Sequence, residues 1–116
     1  MKLKTLNKTS EFTEVKKLGE FVSRKGFNGY YLRQELNNLN FFGIVVSKRI
    51  GNAVKRNYTK RRVREAIRTF EGIKTIKNLK LVLIMKKSVL DISFIDLKSD
   101  INTFLNLANE TIKKSN

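Results

Sequence analysis

Residues 79–85 read Leu-Lys-Leu-Val-Leu-Ile-Met, an apolar run with a single charged member. A strand with one solvent-exposed face alternates apolar and polar side chains, whereas a strand covered on both faces is apolar almost throughout. The run therefore predicts the central strand of a sheet, buried between elements on its two faces.

The segments before this run predict three further strands. Residues 21–32 favour extended backbone and contain Gly26 and Gly29, which suggest a bulge or turn between two short strands. Residues 37–40 predict a turn, and residues 42–47 predict a β-branched strand that leaves it. Together with the central strand, they make a mixed sheet of four strands.

Two helices are predicted from their caps and apolar spacing. The first is capped by Thr9 or Ser10 and stops at Gly19. The second has Asn52 as its N-cap and runs to about Phe70. The apolar face of this second helix consists of Val63, Ala66, Ile67 and Phe70.

A third helix follows Ser93, its predicted N-cap, with Asp96 at the third helical position and a staple between Ile92 and Leu97. Its apolar stripe consists of Phe94, Leu97, Ile101, Phe104, Leu105, Ala108 and Ile112. The element order is then α-β-β-β-α-β-α. The predicted fold is an α+β sandwich, with helices packed on the mixed four-stranded sheet in one domain, residues 1–116.

The charge of the chain limits the classes of partner. Its formal net charge is +15, from 25 Lys and Arg against 10 Asp and Glu, and 41% of its residues are hydrophobic. Because a compact chain of one sign repels itself, a polyanionic partner is expected, either nucleic acid or an anionic membrane surface. No apolar run approaches the roughly 18 residues of a membrane span, and no secretory signal is recognisable.

The chain contains no Cys and no His. It therefore lacks disulfides, thiol catalysis and the commonest general base and metal ligand. Asp91, Asp96 and Asp100 cluster near the last helix, but capping and solubility explain them better than a metal site. We expect a cytoplasmic protein with no catalytic residue, no metal ligand and no bound cofactor.

The cations are concentrated in residues 48–68, which hold nine Lys and Arg and one acidic residue. A solvated helix face is the ordinary explanation of such a run. Like charges spaced i,i+4 lower helix stability, however, and acidic partners are nearly absent. One broad sector of the second helix, which we interpret as a nucleic-acid-binding ridge, contains Arg56, Asn57, Lys60, Arg61, Arg64 and Arg68.

The same segment resembles the signature of the bacterial ribonuclease P protein family. Residues 48–57 read Lys-Arg-Ile-Gly-Asn-Ala-Val-Lys-Arg-Asn and are followed by Lys60-Arg61 and Arg64-Glu65, a pattern similar to the family's RNR motif. The element order fits this family over nearly the whole chain. Tyr58 stands where the motif has its second arginine; a tyrosine can stack on a base or hydrogen-bond a phosphate.

The resemblance implies a protein subunit that assists removal of the 5′ leader from precursor tRNA, while the RNA subunit carries the chemistry with bound Mg²⁺. No membrane and no protein partner are implied. The residues implied to bind the catalytic RNA are Lys48, Arg49, Asn52, Arg56, Asn57, Lys60, Arg61, Arg64 and Arg68. Those implied to line a leader-binding cleft between the first helix and the sheet are Phe12, Lys16, Asn28 and Tyr30.

The aromatic residues have a second interpretation, because rings in a small protein are more often core than base platforms. Tyr30 and Tyr31 are adjacent on a strand and must face opposite sides, so one can be core and the other displayed. The resemblance favours Tyr30 as the displayed one. Two other functions remain open by composition: a ribosomal protein, and a DNA regulator that uses the second helix for recognition.

Overall fold

The structure is a computed structural model that describes residues 5–6, 9–35 and 39–114, with side chains up to residue 110. Its α-β-β-β-α-β-α order confirms the predicted α+β fold. Short 3₁₀ turns lie at Lys48–Ile50, Glu71–Lys74 and Lys87–Asp91. The helices and strands are α1 (Thr9–Leu18), β1 (Glu20–Ser23), β2 (Phe27–Arg33), β3 (Asn40–Val45), α2 (Ala53–Arg68), β4 (Leu79–Met85) and α3 (Phe94–Lys114).

The four strands form one mixed sheet in the order β1-β2-β4-β3. β4 pairs antiparallel with β2 and parallel with β3, so the apolar run 79–85 is central, as predicted. A parallel pair needs a crossover connection, and α2 supplies it between β3 and β4. The crossover holds α2 against one face of the sheet.

The two faces of β4 are buried in different clusters. Leu79, Leu81 and Leu83 alternate into the main core, which α2 and α3 complete from one side of the sheet. Val82 points to the other side, into a smaller cluster with Val15 of α1 and Leu6. The molecule therefore has α1 on one face of the sheet and α2 with α3 on the other.

Two positions that were predicted to lie in turns, Gly29 and Asn40, belong to strands instead. Gly29 belongs to β2 and pairs with Leu83 of β4, while Gly26 lies in the turn before β2. A Cβ on Gly29 would lie 2.6 Å from the Phe104 ring, so the glycine makes room for that ring. Asn40 begins β3, and its Oδ1 accepts a hydrogen bond from the Leu79 amide at 3.2 Å.

β3 thus spans 40–45 rather than 42–47, because the Asn40 side chain ties its first residue to the start of β4. The rest of the turn predicted at 37–40 falls partly outside the described residues.

The predicted N-cap of the first helix is wrong. α1 begins at Thr9, so Thr9 and Ser10 are both helical residues, whereas a cap residue lies just outside the helix. The helix ends at Leu18, before Gly19 as predicted. A Cβ added at position 19 would lie 2.5 Å from the Tyr31 carbonyl oxygen, so this close approach to β2 requires a glycine. α2 ends at Arg68, and Phe70 stays buried just beyond it. None of the helices in the described ranges has the length and apolar character that a bilayer crossing requires.

The cap of α3 is confirmed, since the Asp96 amide donates to the Ser93 hydroxyl at 3.2 Å. Ile92 and Leu97 are both buried, as a hydrophobic staple requires. Phe94 is 37% exposed and does not belong to the buried stripe, because α3 presents its first turn to solvent. The side chain of Ile112 lies outside the described residues.

Candidate nucleic-acid interface

The loop before α2 is anchored by one buried residue. Ile50 is buried in the main core and anchors the turn Lys48–Ile50, while Lys48 and Arg49 remain exposed. Gly51 has a φ of 145°, a conformation that favours glycine, so the turn alone explains this residue. Asn52 caps the helix, with its Oδ1 accepting from the Lys55 amide at 3.0 Å.

The ridge predicted on α2 lies on the protein surface. The buried face of the helix contains Thr59, Val63, Ala66 and Ile67, which pack toward the core. Of the predicted ridge residues, Asn57, Arg61, Arg64 and Arg68 are exposed, and Arg56 and Lys60 are half-buried. The main core therefore holds the helix by one side, and the ridge residues lie on its other side.

Arg62 is the one cation of this segment that is buried, at 8% exposure. Its guanidinium donates from Nη1 to the Val89 carbonyl at 3.3 Å and from Nη2 to the Ile92 carbonyl. These bonds join α2 to the turn that precedes α3. Arg62 is therefore structural, whereas the other eight cations of the segment are exposed or half-buried.

Tyr58, the departure from the motif, is 53% exposed. The Arg62 guanidinium carbon lies 5.2 Å from the centre of its ring, a cation–π distance. Val54, one turn earlier, is also exposed. Position 58 therefore carries an exposed tyrosine ring that packs against the buried guanidinium of Arg62.

Arg68 is already paired in the free protein. Its guanidinium donates to both oxygens of the Glu65 carboxylate, at 2.7 and 2.8 Å. This hydrogen bond, together with the negative charge of Glu65, raises the pKa of Arg68. The single acid of the segment thus neutralises part of one end of the ridge, which the sequence did not indicate.

A groove of about 590 Å³ separates the end of the ridge from the edge of the sheet; we call it the basic groove. Its apolar wall contains Phe12, and Gly43 of β3 has no space for a Cβ beside that ring. Leu6 bounds it, held by an amide hydrogen bond of 3.2 Å to the Phe42 carbonyl. The cations that line it are Lys60, Arg61, Arg64 and Arg68.

Phe12 therefore lies beside the cations as well as beside the sheet. It packs against the small cluster that also receives Tyr30. In the sequence analysis, Phe12 was assigned to the leader-binding cleft and the arginines were assigned to a separate surface that binds the catalytic RNA. Side chains of α1 and α2 line the same groove because β3 is an edge strand, and the helices on the two faces of the sheet both border that edge. The position of β3 at the edge is known only from the folded chain.

The other predicted region is the sheet face on the α1 side, which we call the open face. Tyr30 is half-buried there, while Tyr31 is buried in the main core on the opposite side. Asn28 is on the same side of β2 as Tyr30, and Lys16 is exposed one turn beyond Phe12 on α1. The structure thus places all four predicted cleft residues on one side of the sheet.

A polar chain of hydrogen bonds continues the open face beyond Tyr30. The Asn28 Oδ1 accepts from the Ser23 hydroxyl at 3.1 Å, and that hydroxyl accepts from the Lys86 ammonium at 3.1 Å. Phe21, which sequence reasoning did not select, pairs with Tyr30 across β1 and β2. Its position opposite Tyr30 depends on strand register, which the sequence did not supply.

One carboxylate of the acidic cluster near α3 has an ion-pair partner. Asp100 accepts from Arg24 at 2.8 Å, and Asp96 donates its backbone amide to the Ser93 cap. The carboxylates of Asp91, Asp96 and Asp100 line one pocket beside Lys25. Within the described part of the chain, no three acidic side chains are grouped so that they could hold a metal ion.

Comparison with known protein sequences identifies one family. A family model described as Ribonuclease P matches residues 1–109. The ribonuclease P protein component of Streptococcus thermophilus is 34% identical over 103 residues, which are 89% of this chain and 90% of that protein. The corresponding protein of Listeria monocytogenes is 30% identical over 111 residues, covering 96% of this chain and 92% of that protein.

Solved structures give the same result. The RNase P protein of Staphylococcus aureus superimposes with a TM-score of 0.80 at 26% identity, over 92% of this chain and 96% of that one. The RNase P protein of Thermotoga maritima gives a TM-score of 0.74 at 25% identity, with the same coverage of both chains. The likeness therefore extends across the whole sandwich.

Proposed function

The chain belongs to the ribonuclease P protein family, and we propose that it acts in tRNA 5′-end maturation by binding both the catalytic RNA and the 5′ leader of precursor tRNA. The observation that carries this proposal is the arrangement of two unlike surfaces, a cationic ridge on α2 and an aromatic open face beside α1. The first suits a folded RNA, and the second suits a single strand.

The ridge and the loop before it bind the catalytic RNA in this proposal. Arg61 and Arg64 are exposed next to each other along α2, and guanidinium groups bind phosphate oxygens through two parallel hydrogen bonds. Lys48 and Arg49 extend the same charge along the loop before the helix. Binding removes the like-charge repulsion that the free helix carries.

The open face holds the leader in this proposal. Tyr30 and Phe12 offer rings to unpaired bases, and stacking on a ring is tolerant of base identity. Lys16 and Asn28 stand beside them to meet phosphate and base edges. A leader of variable sequence can therefore be held without a specific code.

The cleavage chemistry belongs to the RNA subunit in this proposal, and so does the Mg²⁺ that serves it. The protein has no His or Cys to act as a general base or nucleophile. Its contribution is to position the leader and to screen phosphate repulsion. We place the assembly in the cytoplasm, with no second protein required.

The structure bears on the alternative of a DNA regulator. A helix-turn-helix motif places a short helix immediately before its recognition helix. Here α2 follows strand β3 and the 3₁₀ turn Lys48–Ile50. The chain therefore lacks the arrangement that would carry α2 into a major groove in that manner.

A reconstitution assay tests the proposal. The protein is added to its cognate catalytic RNA at low Mg²⁺, and leader cleavage of precursor tRNA is measured. We expect clear acceleration, because protein cations replace part of the Mg²⁺ that screens the RNA. The Arg61→Ala, Arg64→Ala variant is the matched control and should accelerate less. Binding without any acceleration would instead indicate a structural RNA-binding protein and overturn the proposal.

A further inference from the structure

Phe21 is a large apolar side chain that remains 54% exposed on β1. Single exposed apolar residues are common and need no explanation by themselves. Its surroundings are less ordinary, because it lies directly opposite Tyr30 in the antiparallel pairing of β1 with β2. The two ring centres are 5.0 Å apart, and their planes are inclined at 47°.

The pair lies beside α1 rather than beneath it. α1 packs on β2 and β4, whereas β1 is the edge strand beyond β2. The tight passage at Gly19 brings the chain from α1 directly into β1, two residues before Phe21. The Phe21 side of the pair is thus open to a ligand that lies along the sheet.

The next residues on the same face are polar. Ser23 pairs with Asn28, two positions along each strand from the rings, about 7 Å away by strand geometry. The Lys86 ammonium donates to the Ser23 hydroxyl at 3.1 Å and to the Arg24 carbonyl at 2.7 Å. An ammonium has three donors, so this fixed cation can also reach an anionic oxygen.

We propose that Phe21 and Tyr30 form a two-ring stacking platform for consecutive unpaired RNA bases, and that Lys86 binds a phosphate of the same strand. The inference rests on the proposed function, in which that strand is the 5′ leader. An aromatic pair on a sheet beside a cation suits single-stranded RNA, since every base has a face to stack and every linkage has a charge. Phe21 has no polar atom in its side chain, so it selects for unpaired bases and not for their identity.

A fluorescent reporter tests the contact directly. The chain contains no Trp, so Phe21→Trp introduces a single indole at the platform. In the reconstituted holoenzyme, we expect precursor tRNA to quench or shift its emission and mature tRNA to leave it unchanged. The control is Ile95→Trp, which reports from a 79% exposed position on α3, on the other side of the sheet. Equal responses to precursor and mature tRNA would overturn the inference.

Affinity measurements separate stacking from simple apolar contact. Phe21→Ala and Phe21→Leu should each lower the holoenzyme's preference for precursor over mature tRNA by about five- to tenfold, while Phe21→Tyr retains it. Melting temperatures should stay near that of the parent, because the ring is more than half exposed. A Leu variant that behaves like the parent would show that no ring stacking occurs and would contradict the platform.

The salt response tests the cation. Lys86→Gln should lower the salt slope of leader-dependent binding by about 0.7, the value for one phosphate contact on a single strand. An unchanged slope would remove Lys86 from the site. If the unmodified holoenzyme shows no preference for precursor tRNA, the proposed function fails and the platform fails with it. If that preference exists and survives Phe21→Ala, only the platform fails.

Discussion

The ridge on α2 and the open face of the sheet differ in how the chain assembles them. The ridge comes from one continuous segment, residues 48–68, whose helical spacing gathers its cations on the surface. The open face draws Phe21 from β1 and Tyr30 from β2, whose rings meet only when the strands pair in register, and Phe12 from α1, which packs on the same small cluster as Tyr30. A site built from one element can be recognised in sequence, whereas a site built from three requires the fold.

The two regions also differ in the forces they offer a ligand. The cations of the ridge repel one another in the free protein, and bound phosphates would relieve this repulsion. The open face has rings that already pack partly against the sheet, and stacking depends little on salt. Changes in salt and in single side chains should therefore act differently on the two regions.

The largest expected effect is that of salt on the ridge. If about 6–10 phosphates are contacted, affinity for the catalytic RNA should fall by roughly 10³–10⁵ between about 50 and 200 mM salt. Filter binding or fluorescence anisotropy across that range measures it. A flat response would mean that the cations of α2 do not carry the binding.

Removing two exposed cations should have the next largest effect. Arg61→Ala with Arg64→Ala should weaken binding to the catalytic RNA by about 10- to 100-fold and lower the salt slope by about 0.7–0.9 per charge. The matched control is Arg68→Ala, which should cost less, because this guanidinium is already paired with Glu65. Equal losses for Arg61→Ala and Arg68→Ala as single variants would contradict the structural distinction.

Arg62 is buried and lies outside the predicted ridge, so its replacement should affect stability rather than RNA binding. Arg62→Met removes two hydrogen bonds to the turn before α3, so the free energy of unfolding should fall by about 1–3 kcal/mol. The salt slope of RNA binding should not change. Urea denaturation and RNA titration of the same sample separate the two quantities, and a reduced slope with unchanged stability would place Arg62 on the RNA surface.

The smallest expected effect is at Tyr58. Tyr58→Arg restores the motif arginine and should steepen the salt slope by about 0.7–0.9, one additional phosphate contact. Tyr58→Phe should leave the slope as it is. If the arginine variant has the slope of the parent, this exposed position does not face a phosphate.

Local features of the sequence predicted the fold well. The run 79–85 is the central strand, and the Asn52 and Ser93 caps hold the two helices that they were predicted to begin. These features depend on neighbouring residues, which the sequence places side by side. The place of Gly29 inside a strand could not be predicted in this way, because the ring that requires a glycine there belongs to Phe104, far along the chain.

The candidate site was predicted unevenly for the same reason. The exposed positions of Arg61 and Arg64 follow from helical spacing. The hydrogen-bond partners of Arg62 are carbonyl groups in another turn, and the contact of Phe21 with Tyr30 depends on strand register. Neither could be obtained without the long-range contacts of the fold.

The division of labour between the two regions is tested most directly by comparing Arg61→Ala with Tyr30→Ala in the reconstituted holoenzyme. Affinity for the catalytic RNA is measured for each, and so is the ratio of affinities for precursor and mature tRNA. Arg61→Ala should weaken the first and leave the ratio intact, whereas Tyr30→Ala should leave the first intact and reduce the ratio. The same defect in both variants would contradict two separate RNA-binding regions.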